Sequence, residues 1–262
     1  MPFVQVLVSH IPAPLLCFLI TVTYAAVATV GLLISRKIYP HHKAKLHNDI
    51  AGFIFATLGV IYAVLLAFTV VITWQDFDRA NEVTSNEANC LASLYRDSSP
   101  FPPALRAELK SELINYANAI VDDEWHTMTI GQRSAKVQSS QEKLWLFYAG
   151  FQPENETQKI FLIESVKKMN QASELRRQRI LYASSGVHPI LYFVLIAGSL
   201  ITLAFAMLFG TENLIPHLTM TILLAAMIAI TIFTIIALDY PFTGAVSIKS
   251  DVFSSVLTSL MK

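Results

Sequence analysis

Four long apolar stretches dominate the pattern of hydrophobic and polar positions along the chain. They lie at about residues 14–35, 50–74, 190–209 and 217–238, and none contains Asp, Glu, Lys or Arg. A helix of about 20 apolar residues is long enough to cross the hydrocarbon core of a bilayer. The pattern therefore predicts an integral membrane protein with four transmembrane helices.

The second stretch does not end at the membrane surface. Residues 75–96 contain no Gly or Pro and keep apolar side chains at helical spacing. A single helix of roughly 48 residues would be about 70 Å long. We expect it to leave the membrane and to become the first helix of a soluble bundle.

The segment between the second and third stretches is amphipathic. Breaks rich in proline and turn residues separate three further helical patterns in it. They lie at about residues 104–128, 134–149 and 156–185. The sequence therefore predicts an all-α fold without strands, in which a soluble helical bundle is inserted between spans two and three.

This interpretation divides the chain into four parts. Residues 1–74 form a transmembrane hairpin, 75–189 the bundle, 190–238 a second hairpin, and 239–262 a turn followed by a short amphipathic helix. Because four spans return the chain to its starting side, we expect both termini and the bundle on one face of the membrane.

Composition supports the membrane assignment. Apolar residues make up 54% of the chain, charged residues 15%, and the mean hydropathy is +0.51. Charges are concentrated in residues 75–189, which hold 15 of the 19 acidic and 13 of the 19 basic residues. The lipid bilayer is therefore a partner, whereas a net charge near zero argues against nucleic acid.

The sequence contains no recognisable motif for catalysis, cofactor binding or metal binding. His41, His42 and His47 have poor metal-ligand spacing and are interpreted as interfacial side chains. Cys17 and Cys90 are predicted at different depths and cannot pair. We therefore predict a protein that is not an enzyme and has no cofactor or metal.

The second span has two distinct faces. Small residues recur on one side, where another helix can approach closely. They are Gly52, Ala56, Gly59, Ala63 and Ala67. A bulkier line on the other side is a candidate lining for a hydrophobic pore, although such a face also suits contact with lipid. It consists of Thr57, Ile61, Leu65, Phe68 and Ile72.

A group of arginines lies near the membrane end of the last bundle helix. Arg176, Arg177 and Arg179 accompany Glu174 there, and Glu82 or Glu87 on the long helix could reach them. These charges suit ion pairs between helices, or a ring of positive charge that attracts anions in an oligomer.

Two further acidic sites are open to more than one interpretation. The run from Asp122 to Glu124 lacks the spacing of a calcium loop and is interpreted as a solvated helix end. Asp239, followed by Pro241 and Gly244, closes the fourth span. It suits either a structural cap or an ion pathway.

As a cap, Asp239 should pair with one arginine of the bundle. The candidates are Arg79, Arg176, Arg177 and Arg179.

Several short motifs together resemble the bestrophin-like family of bacterial and plant membrane proteins, over about residues 45–255. They begin at His47-Asn48-Asp49, Glu87-Ala88-Asn89, Glu124-Trp125, Arg176 with Arg179, and Leu238-Asp239. The resemblance implies the layout of bestrophin channels, with a pore lined by the second span of each subunit and a cytoplasmic soluble domain. An acidic calcium-binding run after span four is not found here.

From these observations we expect a homo-oligomer, a tetramer or pentamer, that conducts small monovalent anions such as chloride. The resemblance places it in the bacterial inner membrane, with the bundle and both termini cytoplasmic. A non-conducting scaffold or sensor, whose bundle binds a partner or ligand, is the alternative. Few polar residues occur in the spans, and nothing in the sequence decides between the two.

Overall fold

The computed structural model describes residues 3–39 and 47–260, and helices joined by turns and short loops make up these ranges, with no strand among them. Its helices, numbered in chain order, are α1 Phe3–His10, α2 Ala13–Ile38, α3 Asn48–Asp97, α4 Pro103–Ala119, α5 Trp125–Thr129, α6 Ala135–Gly150, α7 Glu156–Ser184, α8 Pro189–Met207, α9 Leu214–Leu238 and α10 Asp251–Leu260. Four of them, α2, α3, α8 and α9, contain apolar segments long enough to cross a membrane. The predicted all-α fold with four spans is confirmed.

Helix α3 is continuous for 50 residues, as the absence of Gly and Pro beyond the membrane segment predicts. Its apolar first half packs against α8 and α9, and its second half packs along α7. One helix therefore connects the membrane part to the bundle without a joint.

Close helix packing in the membrane depends on one glycine. A Cβ atom at Gly198 on α8 would lie 2.6 Å from the Tyr62 ring of α3. The Tyr62 hydroxyl also donates a hydrogen bond to the Leu195 carbonyl at 2.9 Å. This contact fixes α3 against α8 inside one subunit.

The membrane ends farthest from the bundle are tied by polar groups. The Asn48 side chain donates to the Gly210 carbonyl at 2.8 Å and accepts from the Gly210 N–H at 2.9 Å. Arg36 donates to the Thr211 carbonyl and hydroxyl at 2.6 and 2.7 Å. The Asn48 of the motif thus has a structural role, since it holds the start of α3 to the turn between α8 and α9.

The soluble bundle has its own core. Leu91 and Leu94 of α3, Leu113 of α4 and Leu144 of α6 are each at most 1% exposed within it. Helix α10 also belongs to this bundle, because Phe253 is fully buried and its ring packs edge-on against Trp125. Burial of these apolar side chains stabilises the bundle.

Helices α1 and α10 lie on the bundle side of the spans. The Gln5 side chain of α1 donates to the Thr129 carbonyl at 2.6 Å, and Val8 packs against Gly244. Gly244 has a φ of +88°, and an added Cβ would clash with Val8 at 2.4 Å. This turn after α9 therefore requires glycine, and α1 packs against its backbone.

The main difference from the predicted helices lies at 104–128. There the chain forms α4 and α5 separated by a π-helical turn, Ile120–Glu124. The other predicted helices begin and end within a few residues of their observed limits. Cys17 and Cys90 are both unpaired, as predicted. His41 and His42 lie outside the described residues.

Candidate functional site

One side of the second span is covered by its own subunit. Tyr62, Thr69 and Thr73 are 6%, 4% and 2% exposed and lie at helical spacing on α3. The two threonines donate hydrogen bonds to carbonyls one turn earlier in the same helix. This side therefore contributes packing and leaves no free polar group toward α8 and α9.

The small face of α3 has no close partner among the residues that the structure describes. Ala56, Ala63 and Ala67 are exposed, and Gly52 and Gly59 are half-buried. No atom lies within 4 Å of a Cβ added at Gly52 or Gly59. A second helix can therefore approach this face only from outside the described chain.

The predicted pore line is mostly exposed as well. Ile61, Phe68 and Ile72 are 67%, 66% and 49% exposed, and Thr57 is also exposed. Ile61 and the half-buried Leu65, however, line a groove between α3 and α8. The five residues thus lie in two different surroundings within the subunit.

A third surface lies directly opposite the covered side of α3. Val60, Val64 and Val71 are 64%, 49% and 49% exposed. Each is offset by two residues from Tyr62, Thr69 or Thr73, which corresponds to about 200° around a helix. Val60 and Val64 therefore point away from the other membrane helices of the chain, whereas Val71 also lines a groove against α9.

The bundle contains a buried network of two carboxylates and two guanidiniums. Arg179 donates to Glu87 at 2.6 and 3.1 Å and to Glu124 at 2.8 Å. Arg176 donates to Glu124 at 3.0, 3.1 and 2.5 Å. Because Glu87 belongs to α3, the network joins the extension of span two to α7 and to the π-helical turn.

Burial and pairing act in opposite directions on these groups. Burial raises the pKa of Glu87, and the adjacent Arg179 offsets this only in part. At Glu124 burial also acts to raise the pKa, but hydrogen bonds and charge from both arginines bring it below the usual range. The charged form of Glu124 is therefore more strongly stabilised by its surroundings than the charged form of Glu87.

The expected ion pairs between helices are thus present for Glu87, Arg176 and Arg179. Glu82 is exposed and has no ion pair in the described part of the chain. Arg177 is exposed and pairs with Glu174 on its own helix.

The interpretation of Glu124 as part of a solvated helix end is wrong, since the π-helical turn directs this fully buried side chain inward. Among the described residues, no group of acidic, histidine or cysteine side chains is arranged to hold a metal ion.

Asp239 is buried at the bundle end of α9. Its carboxylate accepts hydrogen bonds from the Val187 N–H at 2.5 Å and from the Tyr192 hydroxyl at 2.7 Å. Burial raises the pKa of this carboxyl, and the bonds from Val187 and Tyr192 oppose the shift. Asp239 therefore ties the end of α9 to the turn before α8.

The expected pair between Asp239 and an arginine is wrong. Arg176 and Arg179 lie deeper in the bundle and are satisfied by buried acids. Arg79 lies 3.9 Å from Asp76 on the surface of α3. The backbone turn brings an N–H and a phenol to Asp239 instead of a cation.

Comparison with solved structures identifies the fold. A crystal structure of a bacterial bestrophin homologue from Klebsiella pneumoniae, carrying a point mutation, matches with a TM-score of 0.66 at 12% identity, covering 94% of this chain and 99% of that one. A second structure of that homologue gives 0.64 at 13%, covering 92% and 97%. A crystal structure described as a membrane protein gives 0.70 at 12%, covering 93% and 97%.

No curated protein matches the sequence closely enough to count as a relative. A family model described as the Bestrophin-like domain matches residues 22–253. That range contains the motifs from His47 to Asp239, and it includes three complete spans, most of α2 and the whole charge network. The resemblance noted in the sequence is therefore confirmed, and the chain belongs to the Bestrophin-like family.

Proposed function

We propose that this protein is an oligomeric ion channel whose second membrane helices surround a central pore. The observation that carries the proposal is the incomplete covering of α3 inside one subunit. The Tyr62 side is buried, while the small face and the bulky faces remain free. Copies of the chain arranged in a ring, as a tetramer or pentamer, would cover the small face and leave another face toward the axis.

Two lines on α3 are candidates for that axial face. The first is the line predicted from the sequence, Thr57, Ile61, Leu65, Phe68 and Ile72. The second is Val60, Val64 and Val71, together with the neighbouring Phe68. We favour the second, because Ile61 and Leu65 line the groove against α8, whereas Val60 and Val64 lie opposite the covered side of α3. Val71, at the bundle end of this line, also borders a groove against α9.

Either line would form an apolar constriction. A narrow pore lined by Val and Phe side chains excludes water when closed and conducts when it widens slightly. The described part of α3 has no charged side chain from residue 50 to residue 74. Conduction would therefore be controlled by pore width rather than by a ring of fixed charges in the membrane.

The permeant ions and the orientation follow from the resemblance to bestrophin channels. On that basis we propose small monovalent anions such as chloride, a bacterial inner-membrane location, and a cytoplasmic bundle that forms a vestibule below the pore. Hydrogen bonds across the Glu87 network would keep this vestibule rigid with respect to α3.

Flux from proteoliposomes tests the channel itself. Purified oligomer should release chloride or nitrate faster than protein-free vesicles do. Absence of flux for chloride, nitrate, sodium and potassium alike, with the oligomer confirmed by light scattering, would support the alternative of a non-conducting scaffold or sensor. Selective release of sodium or potassium would retain the channel and exclude anion selectivity.

Cysteine substitution distinguishes the two pore lines. In planar bilayers, Val64→Cys should become sensitive to a charged thiol reagent, whereas Ile61→Cys should not. Both positions are exposed in the subunit and one helical turn apart, so Ile61→Cys is the matched control. If the reagent blocked the current of Ile61→Cys and left that of Val64→Cys unchanged, the pore would instead be lined by the residues predicted from the sequence.

A further inference from the structure

The bundle contains a polar cleft that the proposed pore does not use. It lies between α6 and α7 and has a volume of about 330 Å³. Its lining includes Arg133, Gln141, Trp145, Asn170, Arg176 and Arg177. In contrast, the grooves along α3 in the membrane are lined mainly by apolar side chains. The cleft has the size of a small-molecule site, and its polar lining favours a charged ligand.

The floor of the cleft is held rigidly. Arg176 is 4% exposed, and its Nη1 donates to Gln141 Oε1 at 2.7 Å. Gln141 in turn donates to the Ser173 hydroxyl at 2.7 Å. Because the remaining donors of Arg176 are directed to Glu124, this guanidinium cannot swing into the cleft. It forms a fixed floor of the cleft and is not available as the ion-pair partner of a ligand.

The upper part of the cleft carries donors that have no acceptor among the described residues. Arg133 makes no hydrogen bond or ion pair with any other residue that the structure describes. The same holds, within 3–39 and 47–260, for the Asn170 amide and the indole N–H of Trp145. A guanidinium binds carboxylate or phosphate oxygens through two parallel hydrogen bonds, and an amide or indole N–H can add a third.

One cation of the cleft has no acidic partner among the described residues. Arg177 is paired with Glu174, and Arg176 is paired with Glu124, so these two arginines are largely neutralised. Glu142 lines the cleft and accepts a hydrogen bond from Gln138 at 3.0 Å. Arg133 is the cation without an acidic partner in the described lining.

We propose that the cleft binds a small oxyanion, either inorganic phosphate or the carboxylate of a small organic acid. Arg133 would be its ion-pair partner, and Asn170 and Trp145 would donate hydrogen bonds. The flat apolar surface of the Trp145 ring would also accommodate the body of an organic acid. Phosphate and carboxylate groups both present the anionic oxygens that Arg133 would bind. The two kinds of ligand are therefore tested separately.

Arg176 connects this cleft to the long helix. It lines the cleft and also binds Glu124, which shares Arg179 with Glu87 of α3. A bound anion would therefore act on the network that holds the extension of span two. Any effect on ion flux rests on the proposed channel function, whereas binding does not, and the two are measured separately.

Isothermal titration of the full-length detergent-solubilised protein tests the site. Sodium phosphate, sodium succinate and sodium benzoate are titrated separately, with sodium chloride as the control for ionic strength. We expect at least one oxyanion to saturate one site per chain with a Kd below about 1 mM. Saturation by phosphate alone would identify the inorganic ligand, and saturation by succinate or benzoate alone the organic acid.

Variants assign the binding to the cleft. Arg133→Gln should weaken the saturating probe by about tenfold or more and leave the melting temperature of the ligand-free protein unchanged. Arg133→Lys should restore part of the affinity, because it keeps the charge and loses the two-pronged geometry. Arg96→Gln is the matched control, since Arg96 is an exposed arginine of the bundle that does not line the cleft.

Two results would overturn the proposal: no saturable binding of any oxyanion, or binding that Arg133→Gln leaves unchanged. Flux from proteoliposomes with and without the saturating probe then tests the connection to α3. A protein that binds the probe and conducts no ion would count against the channel and leave the site standing.

Discussion

Removal of Arg179 should destabilise the bundle far more than removal of its neighbour Arg177. Arg179 is fully buried and neutralises Glu87 and Glu124 together. In Arg179→Gln both acids stay buried, and only Arg176 remains to compensate Glu124. Breaking a buried ion pair from one side typically costs about 3–5 kcal/mol.

The expected change is large enough to measure directly. For a chain of this size, about 3–5 kcal/mol corresponds to a fall of roughly 6–20 °C in Tm. The assay is the loss of the oligomer peak in detergent after heating, followed by size-exclusion chromatography. Arg177→Gln is the matched control, because Arg177 is exposed and pairs with Glu174 on its own helix. Its Tm should equal that of the wild type.

A double variant checks the cause. If Arg179→Gln destabilises the protein because it leaves Glu87 uncompensated, adding Glu87→Gln should restore part of the lost stability. The two changes would then be non-additive, as expected for partners in one network. Equal melting temperatures for Arg179→Gln and Arg177→Gln, or strict additivity with Glu87→Gln, would refute the argument.

Three other positions are tested as well, the first two by the same melting assay. Asp239→Ala should lower Tm more than Asp239→Asn, because the amide keeps the shape of the side chain and one acceptor. Tyr192→Phe should lower Tm less than Asp239→Ala does. A Tm equal to that of the wild type for all three variants would contradict a structural role of Asp239. Gly198→Val should destabilise the subunit by about 1–3 kcal/mol, since its side chain overlaps the Tyr62 ring, and an unchanged Tm would contradict the close packing. Gly59→Leu should shift the protein toward monomer in light scattering at unchanged helicity by circular dichroism, because no atom of its own subunit is near; an intact oligomer would mean that the small face meets only lipid.

Sequence periodicity alone was enough for most of the architecture. Four uncharged stretches are each long enough to cross a bilayer core as a helix. In lipid a single segment has to be helical, because its backbone hydrogen bonds must all be made within the segment. The continuity of α3 followed from the absence of Gly and Pro after residue 74. An ion pair between the long helix and an arginine of α7 was also predicted from the sequence, but the choice between Glu82 and Glu87 stayed open until the packing of the helices was known.

Tertiary structure decided the details that depend on where helices meet. Glu124 lies 52 residues before Arg176, and their contact depends on how α7 packs against the π-helical turn, which the sequence alone does not show. Asp239 accepts a hydrogen bond from the Val187 N–H rather than from a cation, because a backbone N–H at a turn needs an acceptor. Such a backbone donor cannot be recognised from the sequence, since it belongs to no charged side chain.

The faces of α3 show the same division. The sequence separated small from bulky residues, because helical period places them on different sides. Which side is buried depended on Tyr62 and its fit against Gly198, a contact between residues far apart in the chain. Local pattern therefore determined the helices, and side-chain fit between distant segments determined which of their faces remain uncovered within the chain.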